Sequence, residues 1–299
     1  MKLFSKKKKN SFERAGRVPR SAMVPGFAYL VIFFVLPLML LARYSFSTTV
    51  VGSGKIHNDF TLNNYISFFT DAYFIKVFLR SLKLSGLLCL ITIVLAYPVG
   101  YYLARSKSSL VPWVSGLSYL PLLASTVVTS FGWMIILSDT GIINKFLLNI
   151  GLINKPIKIM YTETAVLIAL AQASLPYMIT SIRNVIFTID KSTEEAAGTL
   201  GAKPWQVFFR VTFPLSLPGI AAGTLLVFVT GMSAFVTPEL LGGGQVATMA
   251  TIILRETQTN LNFPLASTIS IIILVITSII IFLYNKLLES NLLGGGGRK

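Results

Sequence analysis

Charge is what this sequence has least of. Only 12% of its 299 residues are charged, against 54% hydrophobic, whereas soluble chains carry about a quarter charged residues. Too little polar surface is left to cover so apolar a core, which excludes a water-soluble enzyme. Acids are scarcer still, with 11 Asp and Glu facing 26 Lys and Arg for a formal net charge of +15. That excess is not a nucleic-acid patch on a globule, because Lys2, Lys6 to Lys9, Arg14, Arg17 and Arg20 crowd ahead of a long apolar run. The single cysteine, Cys89, lies in an apolar stretch; it excludes an intramolecular disulfide or a cysteine metal cluster and reads as a small buried hydrophobe. The one histidine, His57, sits in a polar segment and reads as a solvated loop residue. No G-x-x-x-x-G-K run followed by Ser or Thr occurs, and the glycine runs at 242–244 and 294–297 lack the Lys-Ser/Thr that would hold phosphate and magnesium. Neither a nucleotide nor a metal site is expected on this chain.

What the sequence has is apolar length. A bilayer core takes about 20 apolar residues per helix, and six segments supply them: Val24 to Ala42, Leu84 to Leu103, Val114 to Leu137, Thr164 to Ile182, Gly219 to Thr237 and Leu265 to Tyr284. None contains Asp, Glu, Lys or Arg; Arg43, Arg80, Lys83, Arg105, Glu163, Arg183, Glu239 and Lys286 stand at the ends, where long side chains reach the interface. The sequence therefore predicts an all-α membrane protein of six transmembrane helices with both termini on one side. Placing the N-terminus inside puts 17 of the 26 basic residues in inner segments, so both termini are expected in the cytoplasm. The first apolar run is too long for a signal-peptide core and has Arg43 and Tyr44 where small residues would be needed, so an uncleaved helix is expected. Short amphipathic helices are predicted around Ile143, Phe146, Leu147 and Ile150, and around Met249, Ile252, Ile253 and Glu256.

The segment between spans four and five, Arg183 to Leu217, is the longest inner loop. Asp190 and the acids after it suit a helix N-terminus, and Leu200 followed by Gly201 suits its end. Pro204 opens a second helical stretch, Trp205 to Val211, with Pro214 and Pro218 bracketing the return to the membrane. The exposed face of this hairpin is expected to offer Glu194 and Glu195. A lipid-surface helix would be basic, so an acid-led one points to a protein partner, an ordinary hairpin on the lipid surface being the alternative.

The run Glu195-Ala196-Ala197, Gly201 and Val211-Thr212-Phe213-Pro214 resembles the EAA signature of binding-protein-dependent ABC importer permeases, with Phe213 in place of the usual leucine. Thr237 to Gly243 and Asn262 to Ser267 extend the resemblance over nearly the whole chain, to the B-type permeases of spermidine/putrescine importers and their relatives. The resemblance implies the type I importer permease fold, also called MetI-like. It divides the chain into a basic cytoplasmic tail (1–23), a first helix (24–44), an outer loop (45–76), a five-helix core (77–287) carrying a coupling loop (183–217), and a flexible cytoplasmic tail (288–299). It implies a bacterial inner-membrane location and alternating access by a permease subunit. The expected partners are two cytoplasmic ATP-binding subunits, a second permease that is a different chain, an extracytoplasmic solute-binding protein and membrane lipid, with no nucleic acid. Glu194, Glu195, Ala196, Ala197, Leu200 and Gly201 would couple to the ATPase, whose ATP and Mg2+ this chain does not bind.

The solute expectation, a polyamine such as spermidine or putrescine, rests on the resemblance alone, since the spans hold no acids. Another small organic solute, such as an opine, an amino-acid derivative or a phosphonate, is the alternative. Gln172, Ser174 and Pro176 in span four, Thr230 and Ser233 in span five, and Glu239 beyond it are the candidates for the translocation path. Pro176 would free a carbonyl near Gln172, although small polar residues also simply pack membrane helices. Trp133 reads as an interfacial anchor. The rival class is an ion-gradient carrier; spans without an ionisable group disfavour proton coupling and leave sodium coupling open.

Overall fold

The computed structural model describes residues 20–293 apart from 51, 53 and 58. The lysine-rich start of the N-terminal tail and the Gly294 to Gly297 run lie outside the described residues. Six helical segments are long and apolar enough to cross a membrane, the third of them, Thr126–Asn149, made of two helices in succession, and the fold is all-α apart from a two-residue-per-strand hairpin, β1 (Thr48–Thr49) with β2 (Ile56–His57). In chain order the helices are α1 (Val24–Ser45), α2 (Asn63–Thr70), α3 (Ala72–Arg105), α4 (Val111–Leu123), α5 (Thr126–Leu137), α6 (Ile142–Asn149) and α7 (Glu163–Thr188). They continue as α8 (Lys191–Thr199), α9 (Pro204–Ser233), α10 (Val236–Gly242), α11 (Met249–Gln258) and α12 (Phe263–Leu293).

The core is a trio. α7 lies along both α3 and α9, in parallel with α3, since Lys83 meets Glu163 at one end and Gly100 meets Ile179 and Ile182 further along. α9 runs the other way, with Gly219 against Ser181 and Val185 and Gly223 against Met178. These glycines let backbones approach where the membrane supplies no hydrophobic drive between helices. Leu88, Ala96, Val166, Met178, Ile182 and Val227 fill the seam, all fully buried. α12 closes a second, smaller core with Phe68, Met249 and Ile269 and meets the end of α1, where the Thr268 hydroxyl donates to the Ser45 carbonyl at 3.0 Å. The apolar length of α1 itself stays unburied by the rest of the chain.

Three expectations change. Span three is not one helix from Val114 to Leu137: α4 stops at Leu123, Ala124 and Ser125 are extended (ψ 138° and 136°), and α5 starts afresh at Thr126. Span two is not confined to Leu84 to Leu103 but runs 34 residues from Ala72. The helix of span five does not begin at Gly219; it is continuous from Pro204, with Pro214 and Pro218 inside it, and it ends at Ser233. A π-turn over Phe208–Thr212 makes that continuity possible, with the Phe213 N–H bonding the Phe208 carbonyl five residues back. The wider turn makes room for Pro214, which has no N–H to give. A second π-turn, Val31–Val35, precedes Pro37 in the same way.

Candidate functional site

At one end of the bundle α8 is built by its caps. The Asp190 carboxylate accepts from the Ser192 N–H at 2.9 Å, and that bond, helped by the Arg105 charge, holds its pKa below the usual carboxylate value. At the other end the N–H groups of Gly201 and Ala202 return to the carbonyls of Gly198 and Ala197 at 3.0 and 3.1 Å. This is a Schellman closure, and it needs the left-handed conformation Gly201 adopts at φ +86°. Because the folded pKa of Asp190 is lowered, its capping contribution is present above the unfolded carboxylate pKa and is lost as pH falls through the folded value. Amide-exchange protection over 191–199 is therefore expected to persist into mildly acidic buffer in the native chain, and to be lower throughout in Asp190→Ala.

Glu194 and Glu195 were expected on one exposed face; the structure puts them on different sides of α8. Glu194 turns inward: its Oε1 accepts from Arg105 Nη2 and Nε at 2.9 and 3.2 Å and from the Thr212 hydroxyl at 2.9 Å. Arg105 Nη2 also donates to the Ile189 carbonyl at 3.0 Å. One carboxylate thus ties α8 to the adjoining ends of α3, α7 and α9, with both charged side chains only 14% exposed. Glu195 points out, 67% exposed, with Lys191 at 4.0 Å. Leu200 is 88% exposed at the tip, Ala196 is exposed and Ala197 half-buried. The side of this short helix that faces the bundle is clasped, and the opposite side is exposed. Arg105 and Thr212 were legible only as a span-end charge and as part of the V-T-F-P run; nothing in their spacing paired them with Glu194.

The path candidates do not converge. Gln172 lines a cavity of about 540 Å³ with Val114, Ser118, Pro121, Ala124 and Leu175, between α4 and α7. Trp133 is not a free interfacial anchor, since its indole N–H donates to Gln172 Oε1 at 3.3 Å. Ser174 is buried and its hydroxyl has no hydrogen-bond partner; Pro176 is buried inside an unbroken α7. Thr230 bonds back to its own helix. Ser233 lies in a separate apolar groove beside Thr257 and Thr277. Glu239 is exposed in the first turn of α10 and lines neither. Sequence reading missed the break after α4, which supplies the wall opposite Gln172.

At the opposite end, Glu163 takes Lys83 Nζ at 2.6 Å and Arg80 Nε at 3.4 Å, while Arg80 also donates to the Gln245 carbonyl at 3.0 Å. This fixes the glycine-rich approach to α11 over the start of α7. Tyr161 covers Gly243 so closely that an added Cβ would run into its ring, and the left-handed φ of +52° there favours glycine as well.

The chain thus has six apolar helical segments, a break between α4 and α5, and a short clasped helix at one end. The family model described as "Binding-protein-dependent transport system inner membrane component" matches residues 92–293. The chain is 35% identical over 266 residues to the spermidine/putrescine transport system permease protein PotB of Haemophilus influenzae, covering 88% of this chain and 92% of that one. Among solved structures, a bacterial alginate ABC transporter in complex with its alginate pentasaccharide-bound periplasmic protein superposes with a TM-score of 0.75 at 19% identity, covering 98% of both chains. An inward-facing MetNI methionine ABC transporter gives 0.55 at 17% identity over 74% of this chain and 99% of that one. The protein belongs to the family of binding-protein-dependent transport system inner membrane components. It is a transmembrane permease subunit of an ABC importer with the MetI-like fold, closely related to the PotB subfamily.

Proposed function

We propose that this permease carries a polyamine of the spermidine/putrescine class across the bacterial inner membrane by alternating access, driven by ATP that a separate subunit hydrolyses. The observation that carries the coupling part is α8, clasped through Glu194 on its inner side while Glu195 and Leu200 stand free on the other. Two copies of a cytoplasmic ATPase would receive that edge, one on this chain and one on a different second permease. A solute-binding protein would deliver at the outer face, where Glu239 is exposed. Both termini lie in the cytoplasm on this reading, with 77–287 as the permease core. The solute reading is supported by the name of the PotB relative.

The test is purification of tagged chain in mild detergent, with partners identified by mass spectrometry and ligand binding measured on any soluble partner. Co-purifying ATPase, second permease and a spermidine-binding protein are expected. Glu195→Ala is expected to leave the permease in the membrane while lowering ATPase recovery at least tenfold, because a partner charge would lose its mate on docking. Normal recovery and uptake in that variant would remove the coupling reading. A chain that purifies alone and moves solute down an ion gradient would overturn the ATP-driven one.

A further inference from the structure

The break between α4 and α5 lies where a membrane protein can least tolerate one. α4 has 13 residues and α5 has 12, or about 20 and about 18 Å of helix, on either side of Ala124 and Ser125. Ala124 shares a cavity with Gln172, nine residues into α7. Both measures put the break near the middle of a hydrocarbon core about 30 Å thick. Neither the Ala124 nor the Ser125 N–H bonds back into α4, which leaves the Leu120 and Pro121 carbonyls without their i+4 donors among the described residues, and residues 122–128 are exposed in the chain. Bare backbone at that depth cannot face lipid; it must line water or be covered by protein.

The chemistry of the wall then decides what passes. A helix C-terminus is the negative end of its dipole, and the last-turn carbonyls are acceptors only. The cavity of about 540 Å³ is lined from α4 as far as Leu120 and Pro121, by Ala124 in the break, by Gln172 and by apolar side chains, and neither basic residues nor any residue of α5 appear in its lining. Gln172 Oε1 adds a further acceptor beside the Trp133 indole. We infer that the break at Ala124–Ser125 lines the translocation path and forms an acid-free transit site for an alkylammonium cation, held by the free carbonyls at the end of α4. This rests on the permease reading and names its site. It also accounts for a polycation crossing spans that contain no carboxylate.

The test uses thiol chemistry, because the only native cysteine, Cys89, is buried. Ala124→Cys and, separately, Ser125→Cys in the full complex are exposed to a cationic trimethylammonium-ethyl methanethiosulfonate and to its anionic sulfonatoethyl counterpart. Rates are normalised to each reagent's reaction with a free thiol and measured in the resting and vanadate-trapped states. The expected result at one position or both is labelling at least tenfold faster by the cation, slowed by added spermidine. Absence of labelling by either reagent in both states, or equal or faster labelling by the anion, would overturn the site. Neither outcome depends on which subunit hydrolyses ATP, so failure here and failure of the ATP-driven reading are separately visible.

Discussion

Arg105→Ala is expected to uncouple the permease while leaving it in the membrane. The substitution strips Glu194 of its cation and leaves only the Thr212 hydroxyl at 2.9 Å on a carboxylate that is 14% exposed. Removing one partner of a buried pair costs about 3–5 kcal/mol, more than an isolated nine-residue helix recovers from its own backbone bonds. α8 should therefore leave the bundle rather than keep a bare charge buried. Solute-stimulated ATPase activity is expected to fall at least tenfold, and amide-exchange protection over 191–199 should collapse toward that of an exposed loop. Protection of the buried α3–α7–α9 seam should be unchanged. Glu194→Ala leaves an arginine that can swing to water and should cost less, and the double variant should cost less than the sum of the two. Strict additivity would mean that the two side chains stabilise α8 independently, against the geometry that brings two guanidinium nitrogens to one oxygen.

How much of this could be read from the sequence depends on what carried the information. Span number and the general place of each helix follow from apolar length and the charges that bound it, which are local properties. The caps of α8 were equally legible, because Asp190 and Gly201 act on backbone groups within a few residues of themselves. The break at Ala124 was not, since Pro121 to Val128 is uninterruptedly small or apolar and hydropathy does not distinguish a helix from an extended pair of residues. The continuity of α9 was hidden for a related reason: a missing N–H at Pro214 would end an α-helix, but a π-turn just before it lets the chain continue. The inward turn of Glu194 depends on Arg105, 89 residues away in the chain, and no periodicity within the inner segment encodes it. Charge alone marked two adjacent acids, and only tertiary packing separates their roles.

Gly219→Val is expected to be among the most damaging single changes in the core. A Cβ there would meet the Ser181 carbonyl oxygen at 2.8 Å and the Val185 Cβ at 2.9 Å, neither of which is the free end of a flexible side chain. α9 must then move off α7 or distort, and overpacking of this kind costs about 1–3 kcal/mol, with lost close contact along the antiparallel seam in addition. The shift would be felt seven residues away at Thr212, on the same continuous helix, so the clasp on Glu194 should loosen with it. A fall of several degrees in the detergent unfolding midpoint is expected, accompanied by reduced ATPase recovery. Gly86→Ala, where an added Cβ meets nothing within 4 Å, should leave both unchanged. A lowered midpoint with full ATPase recovery would show that α8 keeps its place when the seam opens. The clasp would then hold on Arg105 and the Ile189 carbonyl without Thr212, and a double variant of Gly219→Val with Thr212→Val should be no worse than Gly219→Val alone.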